Sequence, residues 1–517
     1  MAVRQRRHAA ARDDGRLPVG LLHRRSARHR TRHGDARRRT RDRQGELRNR
    51  GRLRRELRRG ACAERGGGRR GRAGRTLGIP PRRKRYGRTI RAVAALHALT
   101  HPPDRRHGPR RACVALTDLT GTDMTNLLIR NVRTSADAAL DILIEGDRIA
   151  RVGPSLDAPA GCAIEDGALA LALPGLVEGH THLDKTHWGM PWYRNQVGPR
   201  LVDRIESERH YRATSGHDAG AASLGLARAF LAAGTTRIRT HVDVDTDAGL
   251  RHLHGVLATR ETLRGQVEIQ IVAFPQSGVL KRPGTDALLS DALGAGADLL
   301  GGLDPCAIEG DPVEAVDVLF AIAERHGRGL DIHLHERGSM GAYSLDLILQ
   351  RTAAHGMHGK VTISHGFCLG DLADRERDAL LARMAELGVA IVTTAPAAVP
   401  VPPVAACRAA GVTVIGGNDG VRDTWTPYGS PDMLERAMLI GMRNDFRRDD
   451  ALEVALDCVT HGAARGCGFA DYGLQPGSRA DVVLVDALTF AEAVVARPVR
   501  RLVVSSGKIV ARNGVLV

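Results

Sequence analysis

The sequence predicts an α/β fold: a (β/α)8 TIM-type barrel with a small β-sandwich domain formed by both ends of the segment 124–517. Three observations predict it. Eight apolar strand-like runs recur through the middle of the chain, helical stretches separate them, and β-rich segments lie at either end of that region. Helical crossovers between successive strands make a parallel sheet, and eight such units are the number that closes a barrel. A chain of 517 residues with 43% hydrophobic content is long enough to bury a barrel of about 250–300 residues and a smaller domain besides.

Residues 1–123 stand apart from this pattern. They hold about 37 of the 76 Lys+Arg and about 10 of the 58 Asp+Glu, so the net charge of +18 belongs to them and the remaining chain is near −9. No apolar period of 2 or 3.6 runs through the segment, which is therefore predicted to be disordered. Its one aromatic is Tyr86, so it lacks the interleaved aromatics that stack on bases. Nucleic-acid binding by this Arg-rich arm is the competing, non-enzymatic reading, and no nucleic-acid partner is expected. Regular alternation begins at Met124, which is expected to be the true first residue, with 1–123 a mis-assigned start. The run AVAALHALT is too short for a secretory signal and contains His97, and no stretch reaches the roughly 18 apolar residues of a membrane helix. Eight scattered cysteines without C-x-x-C argue against a disulfide framework, so a reduced, cytoplasmic protein with no membrane partner is expected.

From Met124, LLIRNVRT and LDILIEGDRIARVG, with its Gly146-Asp147 turn, read as short strands and a hairpin. The C-terminus repeats the style in ADVVLVDA and RRLVVSSGKIVARNG. Residues 124–173 and 475–517 are therefore expected to pair into one β domain, with the barrel, 174–474, inserted between them. Its eight runs are LPGLVEGHTH, TTRIRTHVDV, VEIQIVAF, LLGGLDP, GLDIHLHE, KVTISHG, VAIVTTAP and VTVIGGND. DPVEAVDVLFAIAERHG and DRERDALLARMAELG, lying between runs, space their apolar residues at i, i+3, i+4 and i+7 as amphipathic helices require.

Polar residues gather at the C-terminal ends of these runs. His180 and His182 end the first, His241 sits late in the second, and Gln276 follows the third. His333 and Glu336 end the fifth, His365 the sixth and Asp419 the eighth. A lone histidine is ordinarily a hydrogen-bonded structural residue. Histidines and carboxylates from several strands, converging at the mouth of a barrel, are instead what a catalytic divalent metal needs while keeping a position open for water.

The H-x-H of the first run, the H-x-x-E of His333 and Glu336, His365 and Asp419 together resemble the amidohydrolase superfamily signature, over essentially all of 124–517. IVAFPQSG with Gln276, RTHVDV and GGNDGVRDTWTPYG further resemble cytosine deaminase and its relatives, the N-isopropylammelide amidohydrolases among them. The resemblance implies one divalent metal, Fe(II) or Zn(II), held by His180, His182, His333 and Asp419. No Lys lies near the end of the fourth run to bridge a second metal, and Lys281 is poorly placed to substitute. The implied reaction is hydrolytic deamination of a small amino-substituted, cytosine-like heterocycle. Metal-bound hydroxide attacks the amidine carbon and ammonia leaves, with Asp419 accepting a proton, Glu336 shuttling one to a ring nitrogen and His365 polarising the attacking oxygen. The alternative is an amidohydrolase releasing an alkylamine from a triazine-type ring.

Trp188, Trp192 and Trp425 all fall in loops after the first and eighth runs, which adjoin in a closed barrel. With Gln276 and His241, Trp188 and Trp425 are expected to form a substrate slot for a flat, uncharged ring. The cytosine deaminase pattern has His-Asp-Asp where this chain has Asn418-Asp419-Gly420, so Gly420 is expected to remove a carboxylate from the pocket wall and enlarge the site. Lys185 and His187 read as helpers or surface residues, and His335 as a neighbour of the ligands. The outer helices of a barrel leave room for a homo-oligomer.

Overall fold

The computed structural model describes residues 126–134 and 138–517. The expectations about residues 1–123, disorder and a mis-assigned start, lie outside the described residues.

The eight apolar runs are eight strands of one parallel sheet: β1 (Leu176–Thr181), β2 (Thr235–Asp243), β3 (Glu268–Phe274), β4 (Leu299–Leu303), β5 (Gly329–Leu334), β6 (Val361–His365), β7 (Ala390–Thr393) and β8 (Val414–Gly416). They are ordered consecutively, each hydrogen-bonded in parallel to the next. The first and last strands meet through a parallel bridge between Thr181 and Asp419, where the Asp419 amide donates to the His180 carbonyl at 2.8 Å. The result is a nearly closed TIM-type barrel. Strands covered on both faces are rich in apolar residues; where charges interrupt them, as Arg239 does in β2, they are buried and paired, here with Asp331 at 2.9 Å.

Helices cover the outside. The one at Pro312–His326 begins with Asp311 accepting from the Glu314 amide, carries Pro in its first turn, ends on Gly327 in the left-handed region, and buries Ala315, Val316, Leu319, Phe320, Ile322 and Ala323. These are the signals that start and stop a helix, with an apolar stripe between them. DRERDALLARMAE forms another, Asp374–Glu386, which buries Leu380, Leu381 and Met384.

Two further sheets flank the barrel in sequence. One orders Arg148–Gly153, Leu140–Glu145, Leu127–Val132 and Ala163–Asp166; the other orders Val515–Leu516, Lys508–Arg512, Arg500–Ser505, Val482–Val485 and Leu171–Pro174. The second joins both ends of the barrel segment, with Leu173 opposite Val483 in an antiparallel pair. Ile129, Ile142 and Ile144 from the first sheet share a buried cluster with Val482, Leu484 and Val504 from the second.

Candidate metal centre

Five polar side chains meet where the barrel strands end. His180 and His182 come from the end of β1, two positions apart and so on one side of the strand, His333 from β5, His365 from β6, and Asp419 from the turn after β8. Ligand atoms of His180, His333, His365 and Asp419 all lie within 4.8 Å of one another. His182 Nε2 is 3.2 Å from Asp419 Oδ1. The sequence grouped His182 with the ligands and gave His365 a separate role. The structure draws His365 into the tightest group, because β5 and β6 are neighbours and their rings lie 5.0 Å apart.

The donor set suits a divalent metal. Buried polar atoms are nearly always hydrogen-bonded, yet Nε2 of His180, Nδ1 of His182, both nitrogens of His333 and Nε2 of His365 are buried with no hydrogen-bond partner among the described residues, His180 Nε2 lying 3.7 Å from Asp419 Oδ1. Burial holds the pKa of His182, His333 and His365 below the ordinary value, leaving neutral rings with lone pairs to offer. Burial alone would raise the Asp419 pKa, but its contacts with His180 and His182 hold the carboxyl well below its usual range.

A second layer of side chains fixes the first. His180 Nδ1 is 2.8 Å from Ser364 Oγ, Ser364 donates to Asp331 at 2.6 Å, and Arg239 donates to the other Asp331 oxygen at 2.9 Å. Glu178, fully buried, accepts from the backbone amides of His180 (2.9 Å) and Asn418 (3.0 Å) and from the Asn418 side chain (2.6 Å). Burial pushes its carboxyl up to about 7. Such outer partners orient metal-binding imidazoles. The sequence reading missed Glu178, although one charge inside the apolar run LPGLVEGHTH was a visible signal; Ser364 and Asp331 gave none. Gly417, just past the end of β8, also matters here: a Cβ on it would lie 2.6 Å from the His180 Cβ, so only glycine lets this segment come so close to β1.

Backbone strain collects at the same rim. His365 (φ 73°), Asp419 (65°), Ala395 (48°) and Asp304 (33°) are non-glycine residues with left-handed backbone, each at or just after a strand end. Each costs about 1–3 kcal/mol and persists only where its surroundings hold it.

Above the centre opens a cavity of about 370 Å³ lined by His182, His333, Asp419, Gln276 and Trp425, with apolar walls from Leu201, Phe274, Phe367, Pro396 and Val399. Lys185, read from the sequence as a helper or surface residue, is buried at its edge. It donates to Gln276 Oε1 (2.5 Å), Glu208 (3.3 Å) and Asp243 (3.3 Å), so the Gln276 oxygen is already engaged. Trp425 Nε1 donates to the same Glu208. His335 also lines the cavity, with Nδ1 2.8 Å from Asp304; burial lowers its pKa, but the charge and hydrogen bond of Asp304 together with the Asp419 and Glu336 charges raise it overall.

Other expected site residues sit differently. Trp188 does not line the cavity: Arg422 stacks over its ring at 4.4 Å, and it packs against the main core. His241 is fully buried below the centre, 4.2 Å from the His180 ring and 4.5 Å from that of His333, because its position on β2 is two residues short of the strand end. Glu336 is buried beside the cavity and accepts from the Cys306 and Ala307 amides, each at 2.7 Å, and from Ser344. Gly420 does not leave the expected open space. A Cβ there would fall 2.0 Å from the carboxylate of Asp423, which fills the wall instead.

Comparison with known proteins agrees with this geometry. Residues 170–511 match the amidohydrolase family. An N-isopropylammelide isopropylaminohydrolase from Burkholderia multivorans ATCC 17616 is 90% identical, covering 76% of this chain and 100% of that structure, with a TM-score of 0.75. N-isopropylammelide isopropyl amidohydrolase from Pseudomonas sp. (strain ADP) is 30% identical over 404 residues, 76% of this chain and 98% of that protein. A 5-methylcytosine deaminase from Klebsiella pneumoniae, liganded with 5-fluorocytosine, is 27% identical with a TM-score of 0.67, over 74% of this chain and 97% of that one. With its parallel barrel, its His and Asp group at the strand ends and this match along two thirds of its length, the chain belongs to the amidohydrolase family and is a hydrolase acting on C–N bonds.

Proposed function

We propose that this hydrolase releases an alkylamine from a small triazine-type ring, N-isopropylammelide being the first candidate. The observation that carries the reading is the 90% identity to the Burkholderia aminohydrolase over all of that structure. The apolar walls from Leu201, Pro396 and Val399 suit an alkyl substituent. In the reaction a water oxygen bonds to the ring carbon, the exocyclic C–N bond breaks, and the amine leaves with a proton from the water.

One divalent metal, zinc or iron(II), held by His180, His182, His333, His365 and Asp419, would supply Lewis acidity toward that water. The protein's own residues do the rest. Asp419 takes up the proton, Glu336 carries one toward a ring nitrogen, and Trp425 and the free amide end of Gln276 hold the ring.

Ammonia release from a cytosine-like ring is the second reading, supported by the 27% identity to the Klebsiella deaminase. Purified protein loaded with zinc or iron(II) is offered N-isopropylammelide and cytosine, and the amine product is identified by mass. Isopropylamine at a kcat/KM of about 10⁴ M⁻¹s⁻¹ or more supports the first reading. Ammonia from cytosine with no alkylamine from the triazine replaces it by the second.

The cluster shared by the two terminal sheets supports their reading as one β-sandwich, built from 124–173 and 475–517 around the barrel at 174–474. Six cysteines among the described residues are free, in keeping with a reducing cytoplasm.

A further inference from the structure

Asp423 is the one carboxylate in the cavity wall with an unused oxygen and no role in the reading above. Its Oδ1 is fixed, accepting from the Trp425 amide at 2.8 Å and the Thr426 amide at 2.9 Å. Oδ2 has no hydrogen-bond partner among the described residues, while the residue is only 2% exposed and lines the cavity beside Asp419 and Gly420. A carboxylate held by one oxygen and free at the other, deep in a pocket, is poised to accept from a ligand. The missing side chain at 420 is what admits it, since a Cβ there would overlap Oδ2. The pairing of Gly420 with Asp423 therefore puts an acceptor at a fixed point on the wall next to Asp419.

We propose that Asp423 is a substrate-contacting, specificity-determining residue whose free oxygen accepts a hydrogen bond from a lactam-type N–H of the bound ring. The inference rests on the reading of this cavity as a heterocycle site. It names the ligand chemistry: rings carrying N–H beside a carbonyl are held, and the same ring methylated at nitrogen is not.

The test uses the full chain loaded with zinc. Calorimetry measures binding of 2,4,6-trihydroxy-1,3,5-triazine, whose keto form presents three lactam N–H groups, and of its N,N′,N″-trimethyl form, alongside alkylamine release. Asp423→Asn keeps the acceptor for Trp425 and Thr426 but turns the free end into a donor. It is expected to weaken binding of the N–H ring about 10- to 100-fold, with the weak trimethyl binding, zinc content and melting temperature unchanged. Gly420→Ala displaces the Asp423 carboxylate without altering it chemically and is expected to give the same selective loss. Binding within threefold of wild type in either variant, equal losses for both rings, or no binding of the N–H ring by wild type overturns the proposal. If wild type binds the ring with this dependence on Asp423 yet releases no alkylamine, the substrate reading fails and the assignment of Asp423 stands.

Discussion

Replacing Lys185 by Met removes the one ammonium that touches Gln276, Glu208 and Asp243 and keeps the side-chain length. The Lys185 nitrogen lies 3.3 Å from a carboxylate oxygen of each acid, and all three residues are buried. At an effective dielectric constant of about 20, each contact is worth about 5 kcal/mol of Coulomb energy, set against several kcal/mol for desolvating the ammonium. Arg212 stays on Asp243 (2.5 Å) and Asp245 (2.8 Å), so the acids are not left wholly unpaired. A net destabilisation of about 3–5 kcal/mol is expected, read in urea as a midpoint lower by about 1 M. The loss depends on pH with a definite sign. Burial and Asp243 already raise the Glu208 pKa while Lys185 draws it down, so the variant's acids take up protons at higher pH than wild type. Protonation relieves the uncompensated charge, and the loss should be larger at pH 8 than at pH 5. In a Glu208→Gln background the same substitution should cost at least 1 kcal/mol less. A loss under 1 kcal/mol at pH 8, or one that grows toward pH 5, would refute the reasoning.

Removing the metal by dialysis against a chelator should lower the melting temperature by several degrees and abolish amine release; saturating metal at about 1,000 times Kd should restore about 4 kcal/mol, and identical melting curves would count against a metal centre. Glu336→Gln should keep metal and lose about 10²-fold or more in kcat; turnover within tenfold of wild type removes Glu336 from proton transfer. His187 is buried between Tyr193 and Tyr211, and burial lowers its pKa from 6.5 to about 4. Unfolded His187 therefore binds a proton that the folded protein refuses, so stability present above about pH 6.5 falls by about 2 kcal/mol toward pH 4. His187→Phe should remove that share of the acid sensitivity in denaturant titrations.

The barrel was legible because eight runs rich in apolar and β-branched residues are separated by helical stretches, and each run contains a strand of the sheet. The positions of the imidazoles were legible too, since a histidine two residues from another on a strand shares its face and a run's last residue lies at the barrel's mouth. Neighbours across the fold were not. Lys185 reaches Gln276, 91 positions on, and Glu178 reaches Asn418 across 240. Nothing local marks either pair. Trp188 and Trp425 both lie in loops that adjoin, yet one ring went under Arg422 and the other to the cavity, a choice made by packing rather than by position in sequence. Gly420 reads in the sequence as added space, yet in the fold the Asp423 carboxylate, three residues on, occupies it. By itself, then, the sequence determined the periodicities, and with them the barrel and the strand ends that carry polar residues. Only the tertiary structure decided which groups meet, because hydrogen bonds and charge pairs form between atoms about 3 Å apart in space whatever their separation along the chain.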